Sequence, residues 1–207
     1  MSAAKKASLF VIAAPSGAGK TTLVKAIVAR HPELRFSISY TTRKQRPNEQ
    51  HGRDYFFVDE AEFLRLRDRG ELLESALVFD NYYGTSRSQV EACLAQGLDV
   101  ILEIDWQGAR QVRGAMPACI SIFILPPSRG ELERRLRGRK TDSEEVIERR
   151  LRDAVSDMGH WREFDHCIVN DNLDLAVLEL EAVLAGAGDE CRCDDPARQR
   201  RIAEILA

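Results

Sequence analysis

Residues 13–22, which read AAPSGAGKTT, combine glycines, a lysine and hydroxyl groups in an order suited to phosphate binding. They fit the pattern G-x-x-x-x-G-K-[ST], except that Ala14 stands at the first glycine position. Backbone N–H groups of such a loop converge on phosphate oxygens at the start of a helix whose dipole favours anions. The stretch predicts a nucleoside triphosphate site formed by Ala14, Pro15, Ser16, Gly17, Ala18, Gly19, Lys20, Thr21 and Thr22.

Within this site, Lys20 can reach the β and γ phosphates, and the Thr21 hydroxyl can bind Mg²⁺. Ala14 is compatible with the site if its φ angle is negative, because a positive φ would strain an alanine. The alternative is an ordinary Gly/Ser loop. The predicted strand, the loop, the lysine, the hydroxyl and the predicted helix follow one another at the spacing of the motif, which favours the triphosphate site.

Two acids lie at the end of a later apolar run, DVILEID, at positions 103 and 105. A strand buried on both faces rarely ends in two acids for packing reasons alone. Glu103 and Asp105 are therefore candidates for the acidic half of a Mg²⁺–triphosphate site. The sequence leaves open which of the two is nearer the metal.

A polar loop, RKQRPNEQHGRDY, supplies a possible site for a phosphate acceptor. Arg43 and Arg46 offer two guanidinium groups, and Tyr55 and Tyr83 offer two phenols, which suits a dianionic phosphate. A solvated basic loop would have the same composition, so these residues alone do not decide between the two interpretations.

Apolar runs alternate with helical patterns, which predicts an α/β fold with a parallel sheet flanked by helices. The predicted core strands are SLFVIAA, RFSISYTT, DVILEID, CISIFIL and HCIVND. A small mixed region follows the second strand, and a long, charged helical region covers residues 128–159, where most charges are expected to form i,i+4 pairs. The tail is expected to contain a short helix that begins at Asp195 and Pro196.

Composition limits the functional classes. The 207 residues carry a net charge of −3, which argues against a protein that coats nucleic acid or a membrane surface. No apolar run approaches the roughly 20 residues of a membrane span. Five cysteines without CxxC spacing suit a reducing cytoplasm, and Cys191 and Cys193 have no third ligand nearby in the sequence.

Several motifs together resemble the guanylate kinase family, most closely its bacterial members. They are APSGAGKT, SYTTRKQRPNEQHGRDYFFV, GELLESALVFDNYYGTS, VILEIDWQGA, ILPPS, RRLRGR and IVND. The resemblance implies a P-loop three-layer core with a GMP-binding insert and a helical lid. It implies transfer of the γ-phosphoryl group of ATP to GMP with Mg²⁺, an activity that recycles GMP and maintains the supply of guanine nucleotides.

The resemblance also implies boundaries and residue roles. The domain is expected at 7–186, with core segments 7–35, 88–127 and 160–186, a GMP-binding insert at 36–87 and a lid at 128–159. The tail 187–207 has no assigned role. GMP is expected to contact Ser39, Arg43, Arg46, Tyr55, Glu74, Tyr83, Thr85 and Asp105. The expected catalytic residues are Lys20, Arg43 and three phosphate-facing arginines, Arg135, Arg139 and Arg150. Asn170 is expected in the ATP site. Thr21 and Glu103 are expected to hold the metal, partly through water.

A physical argument supports the guanine-reading residues. Guanine presents two adjacent donors, N1–H and the N2 amino group, and an ionised carboxylate such as Glu74 can accept both. Adenine presents an acceptor at N1 and would be rejected. Without the resemblance, Glu74 would be interpreted as a solvent-facing charge on a strand edge.

The sequence leaves three alternatives: a non-catalytic guanylate-kinase-like binding module, a related kinase acting on a sugar phosphate, and a simple nucleotide hydrolase. The sequence also suggests a cytoplasmic protein, dGMP as a further substrate, and a possible homodimer.

Overall fold

Residues 7–138 and 144–206 are described by the computed structural model, and they form strands and helices in alternation. The strands are β1 (Leu9–Ala13), β2 (Arg35–Phe36), β3 (Tyr40–Thr41), β4 (Phe56–Phe57), β5 (Leu72–Val78), β6 (Asn81–Ser86), β7 (Val100–Glu103), β8 (Ile120–Leu125) and β9 (His166–Val169). The helices are α1 (Lys20–Arg30), α2 (Glu60–Asp68), α3 (Arg87–Ala95), α4 (Trp106–Ala115), α5 (Arg129–Arg137), α6 (Glu144–Met158), α7 (Leu173–Leu184) and α8 (Pro196–Leu206), with short 3-10 turns at Gly159–Glu163 and Asp189–Cys191.

Five strands form a parallel sheet in the order β2-β7-β1-β8-β9. Every residue of β1 is buried, and five of the six residues of β8 are buried. Such continuous apolar runs are expected where helices cover both faces of a sheet. The predicted fold class, an α/β protein with a parallel sheet, is confirmed.

The described chain divides into two compact units. The first contains the described residues up to Val11, together with Pro32–Leu102 and Gln107–Cys119. The second contains Ile12–His31, Glu103–Trp106 and the described residues from Ile120 onward.

The first unit includes a separate four-stranded sheet, in the order β4-β3-β6-β5. Helix α2 is capped at its start by the Asp59 carboxylate, which accepts a hydrogen bond from the Glu62 N–H at 2.8 Å. Phe63 and Leu66 of this helix pack with Leu72 of β5. These contacts give the small sheet an apolar core of its own.

The prediction of one continuous strand over RFSISYTT is wrong. Strand β2 pairs with β7 in the large sheet, whereas β3 pairs with β4 and β6 in the small one. The chain leaves the large sheet after Ser37, whose N–H donates to the Ile101 carbonyl at 3.0 Å. The single stretch RFSISYTT therefore supplies one strand to each of two sheets.

In the second unit, helices α1 and α7 pack together. Leu23, Val24 and Ile27 form the buried face of α1. The predicted tail helix is confirmed as α8, and its Ile202 and Ile205 are buried. The tail is thus a packed part of this unit.

The charged region after Pro127 contains α5 and α6. Glu131–Arg135 and Glu133–Arg137 are ion pairs of i,i+4 spacing on α5, as predicted. Arg139 lies outside the described residues. No helix in the described part of the chain is long and apolar enough to span a membrane.

Candidate active site

The phosphate loop follows β1 directly and leads into α1. Gly17 and Gly19 have φ angles of 90° and 91°, a conformation that glycine adopts at little cost. Positive φ at residues other than glycine occurs, among the described residues, at Phe79 and Asp80. Ala14 therefore keeps a negative φ, and its replacement of the first glycine in the pattern causes no strain. The Ala18 N–H donates to the Pro15 carbonyl at 3.2 Å and closes the turn.

Asn170 and Arg135 support the loop within the second unit. The buried Asn170 amide donates to the Ala18 carbonyl at 2.8 Å. A Cβ atom on Gly19 would collide with the Asn170 side-chain nitrogen, so a larger residue at position 19 would displace this support. Arg135 donates to the carbonyls of Asn170, at 3.0 Å, and of Ala18, at 3.3 Å. Asn170 was predicted in the ATP site and Arg135 as a phosphate-facing arginine, and the sequence gives no sign of these contacts with the loop itself.

Lys20 and Thr21 occupy the first turn of α1. The Lys20 ammonium donates to the Ile104 carbonyl, and the Thr21 hydroxyl donates to the Glu103 carboxylate. Both partners lie at the carboxyl end of β7, where ligands of open α/β sheets bind. The geometry thus brings Glu103 into direct contact with the Thr21 hydroxyl.

Arg43 is the centre of a polar cluster in the first unit. Its guanidinium carbon lies 5.4 Å from the ring centroid of Tyr55 and 5.8 Å from that of Phe57. The Tyr83 and Tyr55 rings are edge-to-face, with centroids 6.0 Å apart. The aromatic rings hold the cation by cation–π attraction and restrict its motion. Arg43, Tyr55 and Tyr83, predicted together from the sequence, lie together in the structure.

Glu49 belongs to this cluster and was not predicted from the sequence. Its carboxylate accepts from Arg43 Nη2 at 2.7 Å and from the Arg46 backbone N–H at 2.8 Å. Burial acts to raise the pKa of Glu49, but the hydrogen bonds from Arg43 and Arg46 outweigh burial and hold that pKa below its ordinary value. The same hydrogen bond raises the pKa of Arg43 against the effect of burial. The i,i+3 spacing of positions 43, 46 and 49 was the available signal.

Two other predicted acceptor residues differ in exposure. The Arg46 side chain is 65% exposed, with a guanidinium nitrogen 4.0 Å from Glu49 Oε1. Ser39 is half-buried, and its carbonyl accepts from the Phe56 N–H at 2.9 Å.

Glu74 and Thr85 form a buried polar pair. They are register partners on the antiparallel strands β5 and β6, so their side chains project from the same face. The Thr85 hydroxyl donates to Glu74 Oε1 at 2.7 Å, and the two residues are 3% and 0% exposed. A carboxylate that is almost fully buried is costly unless hydrogen-bond donors meet it. Because an ionised carboxylate can only accept hydrogen bonds, this pair is a candidate site for a ligand that presents donors.

Asp105 lies immediately before α4 in the second unit and is half-buried. The next residue, Trp106, donates its indole N–H to Asp157 at 2.9 Å and stacks on His160 with ring centroids 3.6 Å apart. Burial raises the pKa of Asp157, and the negative charge of Asp105 adds to that effect. These contacts anchor the start of α4 beside Asp105.

Arg150 lies on α6 and is half-buried.

Within residues 7–138 and 144–206, no group of three or more His, Cys, Asp or Glu side chains is arranged to hold a metal ion. The five cysteines are free thiols.

Known proteins resemble this chain over most of its length. A family model described as guanylate kinase matches residues 6–187. A guanylate kinase from Methylococcus capsulatus is 54% identical over 198 residues, which cover 96% of this chain and 97% of the relative. One from Chromohalobacter salexigens is 55% identical over 202 residues, covering 98% and 92%. The crystal structure of guanylate kinase from Anaplasma phagocytophilum superimposes with a TM-score of 0.73 at 33% identity, covering 96% of this chain and 94% of that one.

Proposed function

The chain belongs to the guanylate kinase family, and from this membership we propose which of its residues perform the transfer of the γ-phosphoryl group from ATP to GMP. The protein is an ATP:GMP phosphotransferase. The observation that carries the residue assignment is the buried Glu74–Thr85 pair, since an ionised carboxylate in that position can only accept hydrogen bonds, and guanine presents two adjacent donors.

We propose that Glu74 accepts hydrogen bonds from N1–H and the N2 amino group of GMP. Thr85 holds one carboxylate oxygen in place through its hydroxyl. Asp105 contributes a second carboxylate to base recognition. The 6-amino group and N1 acceptor of AMP cannot satisfy Glu74 in the same way, so the pocket disfavours adenine.

The phosphate of GMP is assigned to the Arg43 cluster. Arg43 and Arg46 supply positive charge, while Ser39, Tyr55 and Tyr83 supply hydroxyl donors. Glu49 fixes the direction of the Arg43 guanidinium, and the Tyr55 and Phe57 rings limit its motion. A phosphate monoester is largely dianionic at neutral pH, so its oxygen attacks without a general base.

In the transfer step, an oxygen of the GMP phosphate forms a bond to the γ phosphorus of ATP. The bond from that phosphorus to the β,γ-bridging oxygen breaks, and ADP leaves with the electron pair. The loose transition state requires alignment and positive charge. Lys20 supplies charge at the β and γ phosphates, and we assign Arg135, Arg150 and Arg139 to the transferred group, the last of these lying outside the described residues.

Mg²⁺ is the metal that this site fits. The Thr21 hydroxyl and Glu103 carboxylate meet at the end of β7, and Mg²⁺ takes one or two protein oxygens together with phosphate oxygens and waters. When bound, Mg²⁺ neutralises charge on the β and γ phosphates. Residues Ala14 to Thr22 cradle the triphosphate, and Asn170 contributes to the ATP site through its contact with Ala18.

Further assignments complete the proposal. dGMP is a second acceptor, because the proposed contacts involve the base and the phosphate rather than the ribose 2′-hydroxyl. The core is assigned to residues 7–35, 88–127 and 160–186, the GMP-binding insert to 36–87 and the lid to 128–159. A homodimer and a cytoplasmic location stay predictions, which sedimentation and cell fractionation test.

A panel of acceptors tests the proposal. ADP release from ATP is measured in a coupled assay with GMP, dGMP, AMP and ribose bisphosphate as acceptors. Turnover with GMP and dGMP, and little with AMP or the sugar phosphate, is the expected result. Comparable turnover with AMP would remove Glu74 from base recognition, and turnover with ribose bisphosphate alone would reassign the acceptor.

A further inference from the structure

Strand β5 has an unusual local geometry just before Glu74. The pairing of β5 with β6 joins Leu72 to Ser86 and then Glu74 to Thr85, so β5 advances by two residues while β6 advances by one. This is a β-bulge at Leu73. Bulges bend a strand and redirect the side chains beside them. The direction of the Glu74 carboxylate therefore depends on how the chain is held on both sides of the bulge.

The outer side of β5 is a sheet edge. The strand lies at the end of the order β4-β3-β6-β5, so within residues 7–138 and 144–206 no further strand of this sheet pairs with the backbone groups that point away from β6. Unpaired edge groups leave a strand free to shift or fray. A bulge at such an edge weakens the constraint on Glu74 further.

Gln111 of α4 occupies this edge at the residue after Glu74. Its side-chain oxygen accepts from the Ser75 N–H at 3.0 Å, and its side-chain nitrogen donates to the Ser75 carbonyl at 2.8 Å. One side-chain amide thus pairs with both backbone groups of a single residue, as a neighbouring strand would. Ser75 is thereby held on one side by β6 and on the other by Gln111.

The backbone on the inner side is also fixed closely. A Cβ atom on Gly84, the β6 partner of Ser75, would lie 3.0 Å from the Glu74 carbonyl oxygen. Glycine at this position lets β6 approach the backbone of Glu74. With β6 this close, the outer contact made by Gln111 limits the remaining movement of the Glu74–Ser75 peptide.

We propose that Gln111 is a positioning residue for guanine recognition, which it serves by holding the Glu74–Ser75 backbone so that the Glu74 carboxylate meets the donors of the base. This inference rests on the proposed role of Glu74 as the base-reading residue. A small displacement of a carboxylate weakens two parallel hydrogen bonds at once, so base recognition depends on the position of this strand.

Gln111→Met tests the proposal, because methionine has similar length and good helix propensity but forms neither amide hydrogen bond. We expect KM for GMP to rise about tenfold, KM for ATP to change less than about twofold, and the preference for GMP over IMP to fall about tenfold. IMP is the informative competitor because it lacks the 2-amino group. Gln111→Glu keeps the acceptor for the Ser75 N–H and loses the donor, so its effect lies between those of the wild type and Gln111→Met.

Gln89→Met on α3 is the matched control. Gln89 is exposed, and the substitution keeps the hydrogen bond that its backbone N–H donates to Ser86 Oγ. A fall in thermal midpoint for Gln111→Met and Gln111→Glu, with KM values and the GMP/IMP preference unchanged, would show that Gln111 merely stabilises the edge and would overturn the proposal. Unchanged behaviour in every assay would overturn it as well.

Glu74→Gln in the otherwise unaltered protein separates this proposal from the one it rests on. If Glu74→Gln leaves the GMP/IMP preference unchanged, the base-reading assignment fails. If Glu74→Gln abolishes the preference while both Gln111 variants retain it, only the role of Gln111 fails.

Discussion

Lys20 lies at the first position of α1, with its ammonium directed to the carbonyl at the end of β7. Lys20→Met removes this charge and keeps an unbranched side chain. We expect kcat to fall by at least about 10²-fold, since in the proposed mechanism the lost charge acts on the transferred phosphoryl group. Single-turnover ADP formation measures the effect, and Lys25→Met on the exposed face of the same helix is the control. Retained turnover in Lys20→Met would remove the lysine from the catalytic set.

Glu74 is the residue whose substitution most directly tests base recognition. Glu74→Gln preserves the shape and the acceptor for the Thr85 hydroxyl, but it places an N–H donor opposite the donors of guanine. We expect the Kd for GMP to rise on the order of 10²-fold, while the Kd for ATP stays within about twofold. Titration calorimetry with each nucleotide checks this, with Glu71→Gln as a charge-matched control on the protein surface. Equal weakening of both nucleotides would contradict the assignment.

In the proposed site, Glu49 acts on GMP through Arg43, whose guanidinium it contacts. Glu49→Gln removes the charge that accepts from Arg43 and from the Arg46 backbone, so the Arg43 guanidinium loses its fixed direction. We expect KM for GMP to rise about fivefold to tenfold with little change in KM for ATP. Steady-state kinetics with each substrate varied in turn distinguishes the two. An unchanged KM for GMP would mean that the aromatic rings alone hold Arg43.

At the scale of secondary structure, predictions succeeded where the signal is local in sequence. The phosphate loop is an example, because one run of ten residues specifies the end of β1, the turn and the start of α1. The tail helix is another, since Pro196 at a helix start is a local signal. The apolar runs of β1 and β8 identified the strands of the parallel sheet for the same reason.

Features that depend on pairing between distant segments were not predicted. The change of sheet after Ser37 depends on β7 and β6, which lie more than 40 residues further along the chain. Gln111 contacts Ser75 across 36 residues, and periodicity gives no sign of such a contact. The Glu49 contact is short in sequence, but the i,i+3 spacing of positions 43, 46 and 49 lies in a loop, where such spacing does not by itself indicate that side chains meet. The side chains that orient the site are thus harder to predict than those of the site itself.

Strand β9 begins at His166, whose ring is half-buried and whose Nδ1 is buried without a hydrogen-bond partner in the described part of the chain. Burial lowers the pKa of His166. As the pH falls through about 6.5, this histidine takes up a proton in the unfolded chain but stays neutral in the folded chain. The free energy of unfolding therefore keeps its full value above that pH and decreases as the pH falls toward the folded pKa of His166. We expect His166→Gln to reduce the loss of thermal midpoint between pH 7.5 and pH 5.5. An identical loss in both proteins would show that other groups control the acid response.

At the scale of the whole molecule, the tail completes the second unit, although the family model ends at residue 187. The Cys193 N–H donates to the carbonyl of Asp165, the residue just before β9, at 2.9 Å. The backbones of Arg192 and His166 pair as an isolated antiparallel β-bridge. Arg198 is 8% exposed and pairs with Glu179 of α7 at 2.8 Å. The residues after α7 are thus attached to the same strand and helix that support Asn170 and the phosphate loop.

Removal of residues 188–207 should therefore destabilise the second unit without removing any proposed substrate contact. Burial of Ile202 and Ile205 contributes about 1.5–3 kcal/mol each, so we expect the thermal midpoint to fall by roughly 10 °C, with kcat at low temperature largely retained. Ile202→Ala gives a milder version of the same loss, and the exposed Glu204→Ala is its control on the same helix. Calorimetric unfolding of the three variants and the unaltered protein measures the effect. If the shortened chain melts at the original temperature, the contacts of α8 contribute nothing to stability; if it melts normally but loses turnover, the tail acts on catalysis directly.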